Sequence, residues 1–291
     1  MADRFEGVTG VRAAVRALPG RGLVRASGAD RVRFLNGMLT ADVAKLAAGE
    51  TAPALQLDRK GHVQAELVLL ADPDVVWRDV AFASLSGDVV ALAVEGPGAA
   101  DAVRAAGGAV PAAGRFERSE LAGAAVLWLS EGALTPDGVR AIAPGAAVGE
   151  LRARLALPEL AEPIAEVLRI DAAIPALGRD VSVRNFPQEA RLERAVSFKK
   201  GCYVGQEIVA RIASRGAVNR VLVKLRTEAR VEPGSEVSLD GAAIGQVTSA
   251  AESAATGAIA LAYLKVEHAA PGQRVVVSGV AGEVAGGDTR R

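Results

Sequence analysis

The sequence predicts an α+β protein ending in a small antiparallel β-barrel, and three observations carry that expectation. Short alternating runs recur at residues 220–225, 235–239, 245–249, 258–263 and 274–277, separated by Pro-Gly, Asp-Gly and Thr-Gly turns, which is the spacing of a small barrel. Helical apolar spacing stands instead at residues 32–39, 158–171 and 203–214. Residues 54–57 and 63–67 alternate with period two around Asp58-Arg59-Lys60-Gly61 and read as a hairpin. The expected division is a mixed region over 1–218, a barrel over 219–280 and a mobile tail over 281–291.

The elements follow in order. Residues 22–26 form a short extended run, and Ser27-Gly28-Ala29-Asp30 offers an N-cap for a helix expected to bury Val32, Leu35 and Leu39. After the hairpin, two apolar runs flank Ser86-Gly87-Asp88 as a strand pair, and residues 97–106 read as a helix with proline near its first turn. The Gly-, Pro- and Ala-rich residues 107–114 mark a junction between two subdomains, followed by a strand at 124–129. No glycine cluster has the spacing of a dinucleotide-binding turn. The 158–171 helix delivers Asp171 to its C-terminal end, against the helix dipole, as for a ligand or a local salt bridge.

Composition bounds the function. With 291 residues and 50% apolar content the chain can bury real cores. The 34 basic residues balance the 34 acidic ones, so no overall field favours nucleic acid or an anionic membrane. Residues 184–226, however, hold ten basic residues against three acidic ones, a stretch that attracts anions, RNA among them, or forms a solvated face. A single cysteine excludes an internal disulfide. The first residues lack the regions of a signal peptide and no run has the length of a membrane span, so the expected location is cytoplasmic with no membrane partner. One cysteine with His62 and His268 cannot by itself supply four ligands for zinc or an iron-sulfur cluster, so no metal is expected on the chain alone.

The chemistry concentrates at residues 199–207. Lys199 and Lys200 precede Cys202 at the expected start of an amphipathic helix over 203–214, where Val204, Ile208 and Ile212 recur and Glu207 faces Arg211. A first-turn position beside two lysines favours a thiolate, whereas the plain alternative is a small buried apolar residue. Lys200, Gly201, Cys202, Tyr203, Gly205, Gln206 and Glu207 reproduce a K-G-C-Y-x-G-Q-E motif, which resembles that of the YgfZ-type folate-binding proteins. These are relatives of the glycine cleavage T-protein that act in iron-sulfur cluster assembly or repair. Residues 28–35, Thr40-Ala41-Asp42-Val43, the hairpin tip at 58–61, residues 168–175, 177–180 and 185–190, and Gly245 to Ser249 resemble further segments of that superfamily in the same order. Ala41 stands where the family usually has asparagine, which removes one polar contact to a ligand.

The resemblance implies a T-protein-like ring of two mixed α/β subdomains plus the C-terminal barrel, around a site for tetrahydrofolate or a one-carbon derivative. In that site Asp171 would hold the pterin edge through paired hydrogen bonds, and Phe34 or Phe186 would stack on it. Lys200 or Arg220 would pair with the acidic tail, Thr40 and Asp42 would line the cavity, and Cys202 would act as thiolate ligand or one-carbon acceptor. The implied partners are folate and iron-sulfur enzymes or assembly factors, in an accessory role rather than an enzymatic one. Three other readings compete: a folate-dependent aminomethyltransferase, which the cysteine motif argues against, an RNA-binding or tRNA-modification module using residues 184–226, and a cysteine hydrolase. The hydrolase needs a base, and the sequence gives neither His62 nor His268 a reason to approach Cys202.

Overall fold

The computed structural model describes residues 2–72, 81–85, 87–121, 123–130, 132–216 and 218–285. In chain order these form α1 (Ala2–Thr9), β1 (Ala14–Ala17), β2 (Val24–Ser27), α2 (Arg31–Met38), β3 (Thr51–Leu57), β4 (Val63–Leu70), β5 (Ala81–Ser84), β6 (Val89–Glu95), α3 (Ala99–Ala105), β7 (Phe116–Leu121), β8 (Ala124–Ser130) and β9 (Val139–Pro144). Then come α4 (Val148–Leu155), α5 (Glu162–Asp171), α6 (Gln206–Arg215), β10 (Arg220–Thr227), β11 (Glu236–Leu239), β12 (Ala242–Ser253), β13 (Gly257–Lys265), β14 (Arg274–Val277) and β15 (Val280–Ala285). The result is α+β, as the periodicities indicate.

The chain folds as two compact units, and their boundaries do not follow the sequence. One unit is built from the described residues of Met1–Leu35, Val43–Ala52 and Val68–Glu162, the other from those of Asn36–Asp42, Pro53–Leu67 and Pro163–Arg291. Residues 107–114 lie inside the first unit and therefore do not join two subdomains.

In the first unit, β1, β6, β9, β8 and β7 form an antiparallel sheet. Its core gathers Leu92, Val94, Val126, Trp128 and Val139 with Leu151 of α4. Among the described residues the strand pair expected around residues 86–88 does not form: β5 pairs with β2, while β6 pairs with β1 and β9. Ser86, the first residue of that expected turn, lies outside the described residues. The expected helix from Pro158 begins only at Glu162. The cause is β1, since the Pro158 carbonyl accepts the Val15 N–H and the Leu160 N–H bonds back to the Val15 carbonyl, which holds residues 158–160 extended.

Helix α2 also departs from expectation. No residue within it is buried and Val32 is 38% exposed. The helix ends at Met38, and buried Leu39 instead forms a bridge with Gln56.

In the second unit, β10-β13-β12-β11-β14-β15 close into a barrel in which β10 pairs with both β13 and β15, so the sheet has no free edge. Alternate residues such as Val223, Leu225, Val237 and Leu264 fill its interior. The start of the expected mobile tail is strand β15, because its register with β10 and β14 is what closes the barrel; residues 286–291 lie outside the described residues. The β3–β4 hairpin forms as the alternation requires. Its Leu55, Leu57 and Val63 pack with Val196, Tyr203 and Val209 in a second core of the same unit.

Candidate functional site

The motif at 200–207 is held mechanically by three of its residues, all within the second unit. Lys200 is 8% exposed, and its Nζ donates to the carbonyls of Asn36 at 2.5 Å, Leu39 at 2.7 Å and Ala41 at 2.7 Å. An ammonium has three protons, and here each has an acceptor. The same nitrogen stands 5.1 Å from the centre of the Tyr203 ring, a cation–π contact. Burial pulls the Lys200 pKa down to about 8, against the pull of Asp42 toward the charged form. The carbonyl cage favours the charged form against that burial.

Tyr203 is buried in the core beneath the hairpin, and burial pushes its phenol pKa upward. Gly205 has φ 82°, and a Cβ at that position would lie 2.6 Å from the Asp58 carbonyl oxygen and 3.0 Å from Gly61 Cα. Backbone thus packs on backbone, which only glycine permits. The hairpin tip and the motif meet at this point.

Cys202 is exposed. The expected position in the first helical turn is corrected: Gly205 caps α6, which starts at Gln206, because the left-handed turn at Gly205 delays the helix past the cysteine. Lys200, the nearer of the two lysines expected to act on the sulfur, is instead directed to the 36–41 carbonyls. Glu207 and Arg211 pair at 2.7 Å as their spacing implies, on the exposed face of α6.

His62 has no pattern of its own in the sequence, yet the Gly61–Gly205 contact brings its hairpin against the motif. Asp58 accepts the backbone N–H of Lys60 at 2.8 Å and of His62 at 2.9 Å through Oδ1, and faces His62 Nδ1 at 3.1 Å through Oδ2. Partial burial pushes the Asp58 carboxyl upward, but the bonds from His62 and Lys60 outweigh it and hold the group below its usual range. A carboxylate only accepts, so His62 Nδ1 is the donor in this contact. The His62 ring lies 4.7 Å from that of Phe186. The signal available in the sequence was the Asp-x-x-x-His spacing across a glycine turn.

The other expected contacts divide. Thr40 is fully buried, donating to the Ala195 carbonyl and accepting the Leu55 N–H, so it fixes the turn and does not line a cavity. Lys200 is likewise committed to the protein and is not a partner for an acidic tail. Asp171 does not present two free oxygens to a pterin edge, because Oδ1 receives the Lys224 ammonium at 3.1 Å. Asp42 is half-buried, and Phe34 is 43% exposed on α2.

Arg220 has a different setting. Its Nε donates to Glu189 at 3.1 Å, and its guanidinium lies 5.1 Å from the centre of the Tyr263 ring. Glu189 also accepts from Asn185 Nδ2 and the Phe186 N–H. The terminal nitrogens of Arg220 have no acceptor among the described residues, and the side chain is 49% exposed. The Tyr263 hydroxyl is buried with no partner among the described residues, and burial with the nearby Glu189 charge pushes its pKa up. Among the described residues no three His, Cys, Asp or Glu side chains gather in a way that could hold a metal ion, and no helix is long and apolar enough to cross a membrane.

Comparison with known proteins matches this geometry to one superfamily. A family model described as the glycine cleavage T-protein C-terminal barrel domain matches residues 220–285. The structure of the glycine cleavage system aminomethyltransferase T from Bartonella henselae superimposes over 98% of this chain and 88% of that one, with a TM-score of 0.86 at 19% identity, and so shares the fold. An uncharacterized protein of Haemophilus influenzae is 32% identical over 240 residues, covering 78% of this chain and 81% of its own. The tRNA-modifying protein YgfZ of Klebsiella pneumoniae is 31% identical over 245 residues, covering 75% of this chain and 73% of its own. On that identity and coverage, joined to the T-protein fold, the chain belongs to the YgfZ family of the glycine cleavage T-protein superfamily.

Proposed function

We propose that the protein binds tetrahydrofolate or a one-carbon derivative and serves as an accessory factor in the assembly or repair of iron-sulfur enzymes, with Cys202 as its reactive group. The observation that carries this reading is an exposed thiol on a loop clamped at Lys200, Tyr203 and Gly205. A thiol so presented suits a group shared with a ligand or partner better than one enclosed for hydrolysis. The residues available fit a folate at its acidic end: Arg220 is oriented by Glu189 and Tyr263 with its terminal nitrogens unspent, matching a carboxylate in a fork geometry. When bound, the folate would supply a carrier for a one-carbon unit; the chain's own part is to bind the tail at Arg220 and to present the Cys202 sulfur.

Calorimetric titration of tetrahydrofolate tests the binding step. Wild-type protein is expected to bind, and Arg220→Gln to lose about 1.5–3 kcal/mol of affinity, the scale of a charged hydrogen bond. Unchanged affinity in Arg220→Gln removes the arginine from the site, and no binding by wild type removes folate. A second reading rests on the Klebsiella relative's name together with exposed Arg184, Arg194 and Lys199, which suit an RNA backbone. Binding to tRNA that falls steeply with salt would support it, and a flat salt response would end it.

A further inference from the structure

The outer wall of the barrel carries a cavity of about 220 Å³, separate from the motif at 200–207. Leu222, Leu261, Ala269 and Pro271 give it apolar walls, and Lys224 and Arg191 give it two cations. The alternation of β10 explains the arrangement: Val223 and Leu225 point into the barrel core, so Leu222 and Lys224 point outward.

Two features of these cations call for an anion. Lys224 is 6% exposed, and its Nζ donates to the Asp171 carbonyl at 2.7 Å and to Asp171 Oδ1 at 3.1 Å. Its third N–H has no acceptor among the described residues, an expensive state for a buried ammonium. Arg191 spends its Nε on the Leu222 carbonyl at 2.8 Å. Among the described residues no carboxylate pairs with its terminal nitrogens; Glu193, whose carboxyl burial pushes upward, feels the Arg191 charge without forming an ion pair.

We propose that this cavity binds a small apolar monocarboxylate. One carboxylate oxygen would accept the third N–H of Lys224, the other the terminal N–H groups of Arg191, and the apolar body would lie against Leu222, Leu261 and Pro271. The site uses neither Cys202 nor Arg220, and so stands or falls independently of the folate reading.

The test titrates benzoate into the full chain by calorimetry, with benzyl alcohol as the uncharged isostere. Benzoate is expected to bind at least tenfold more tightly than the alcohol, and Arg191→Gln to weaken it at least tenfold. Ala269→Phe, which fills the cavity from its rim, is expected to abolish binding while the unliganded protein melts as wild type. Lack of benzoate binding, equal affinity for the alcohol, or binding unaffected by Arg191→Gln or Ala269→Phe each overturns the proposal. Displacement of benzoate by tetrahydrofolate would also overturn it, since the anion would then occupy the folate site.

Discussion

Lys200 shows how one side chain changes meaning between sequence and structure. Beside Cys202 in the chain it looks like a source of positive charge for the thiol or a ligand. Folded, it is an internal cation that ties three carbonyls of residues 36–41 to the motif. Replacing it with methionine keeps the length of the side chain but removes every donor. Lys200→Met is expected to lower stability by about 1–3 kcal/mol, the cost of leaving buried acceptors unmet, as read from denaturant unfolding. Unfolding midpoints equal to wild type would show that the cage carries no weight.

Asp58 gives a residue-level prediction in pH. Its carboxyl lies below the usual value in the folded chain, so its contribution is present above the unfolded carboxylate pKa and is lost as pH falls through the folded one. The stability gap between wild type and Asp58→Asn is therefore expected at neutral pH and to close in acid below the ordinary carboxylate range. A gap that persists unchanged in acid would contradict the assignment.

At the scale of elements, strands were the legible part and their irregularities were not. The barrel runs and the hairpin follow from period-two alternation and turn residues, which are local properties. The register shift in β12 between Val247 and Ser249 is not local. Neighbouring residues of a regular strand face opposite sides, yet the bulge allows Thr248 and Ser249 both to donate to Asp180 Oδ1. Asp180 is 1% exposed and also holds Arg169 at 2.6 Å, while Arg169 pairs with Glu166 and bonds Ser249. This network fastens α5 to the barrel. Asp180→Ala leaves the buried Arg169 short of a counter-charge and is expected to cost about 3–5 kcal/mol in denaturant unfolding. A loss of under about 1 kcal/mol would mean that Glu166 alone suffices.

For the whole molecule, the motif order 28–35, 58–61, 168–175 and 200–207 revealed the superfamily, since each segment keeps a recognisable set of residues. What stayed hidden was which segments fold together. Residues 36–42 and 53–67 belong with the barrel-bearing unit, through the Lys200 cage and the Gly61–Gly205 contact, and no local pattern encodes contacts across more than a hundred residues. For the same reason the sequence pattern of Thr40 and Asp171 suggests ligand contacts although the protein itself engages both. The cysteine was legible as special, while the left-handed turn at Gly205 that starts the helix only at Gln206 was not. In the function proposed above, the fold clamps this loop to present a working thiol. The most direct measurement is iron-sulfur enzyme activity in cells whose sole copy of the protein carries Cys202→Ser. Activity is expected to be as low as in cells lacking the protein, with the variant folded and present at wild-type abundance; activity at the wild-type level would overturn the role of the thiol.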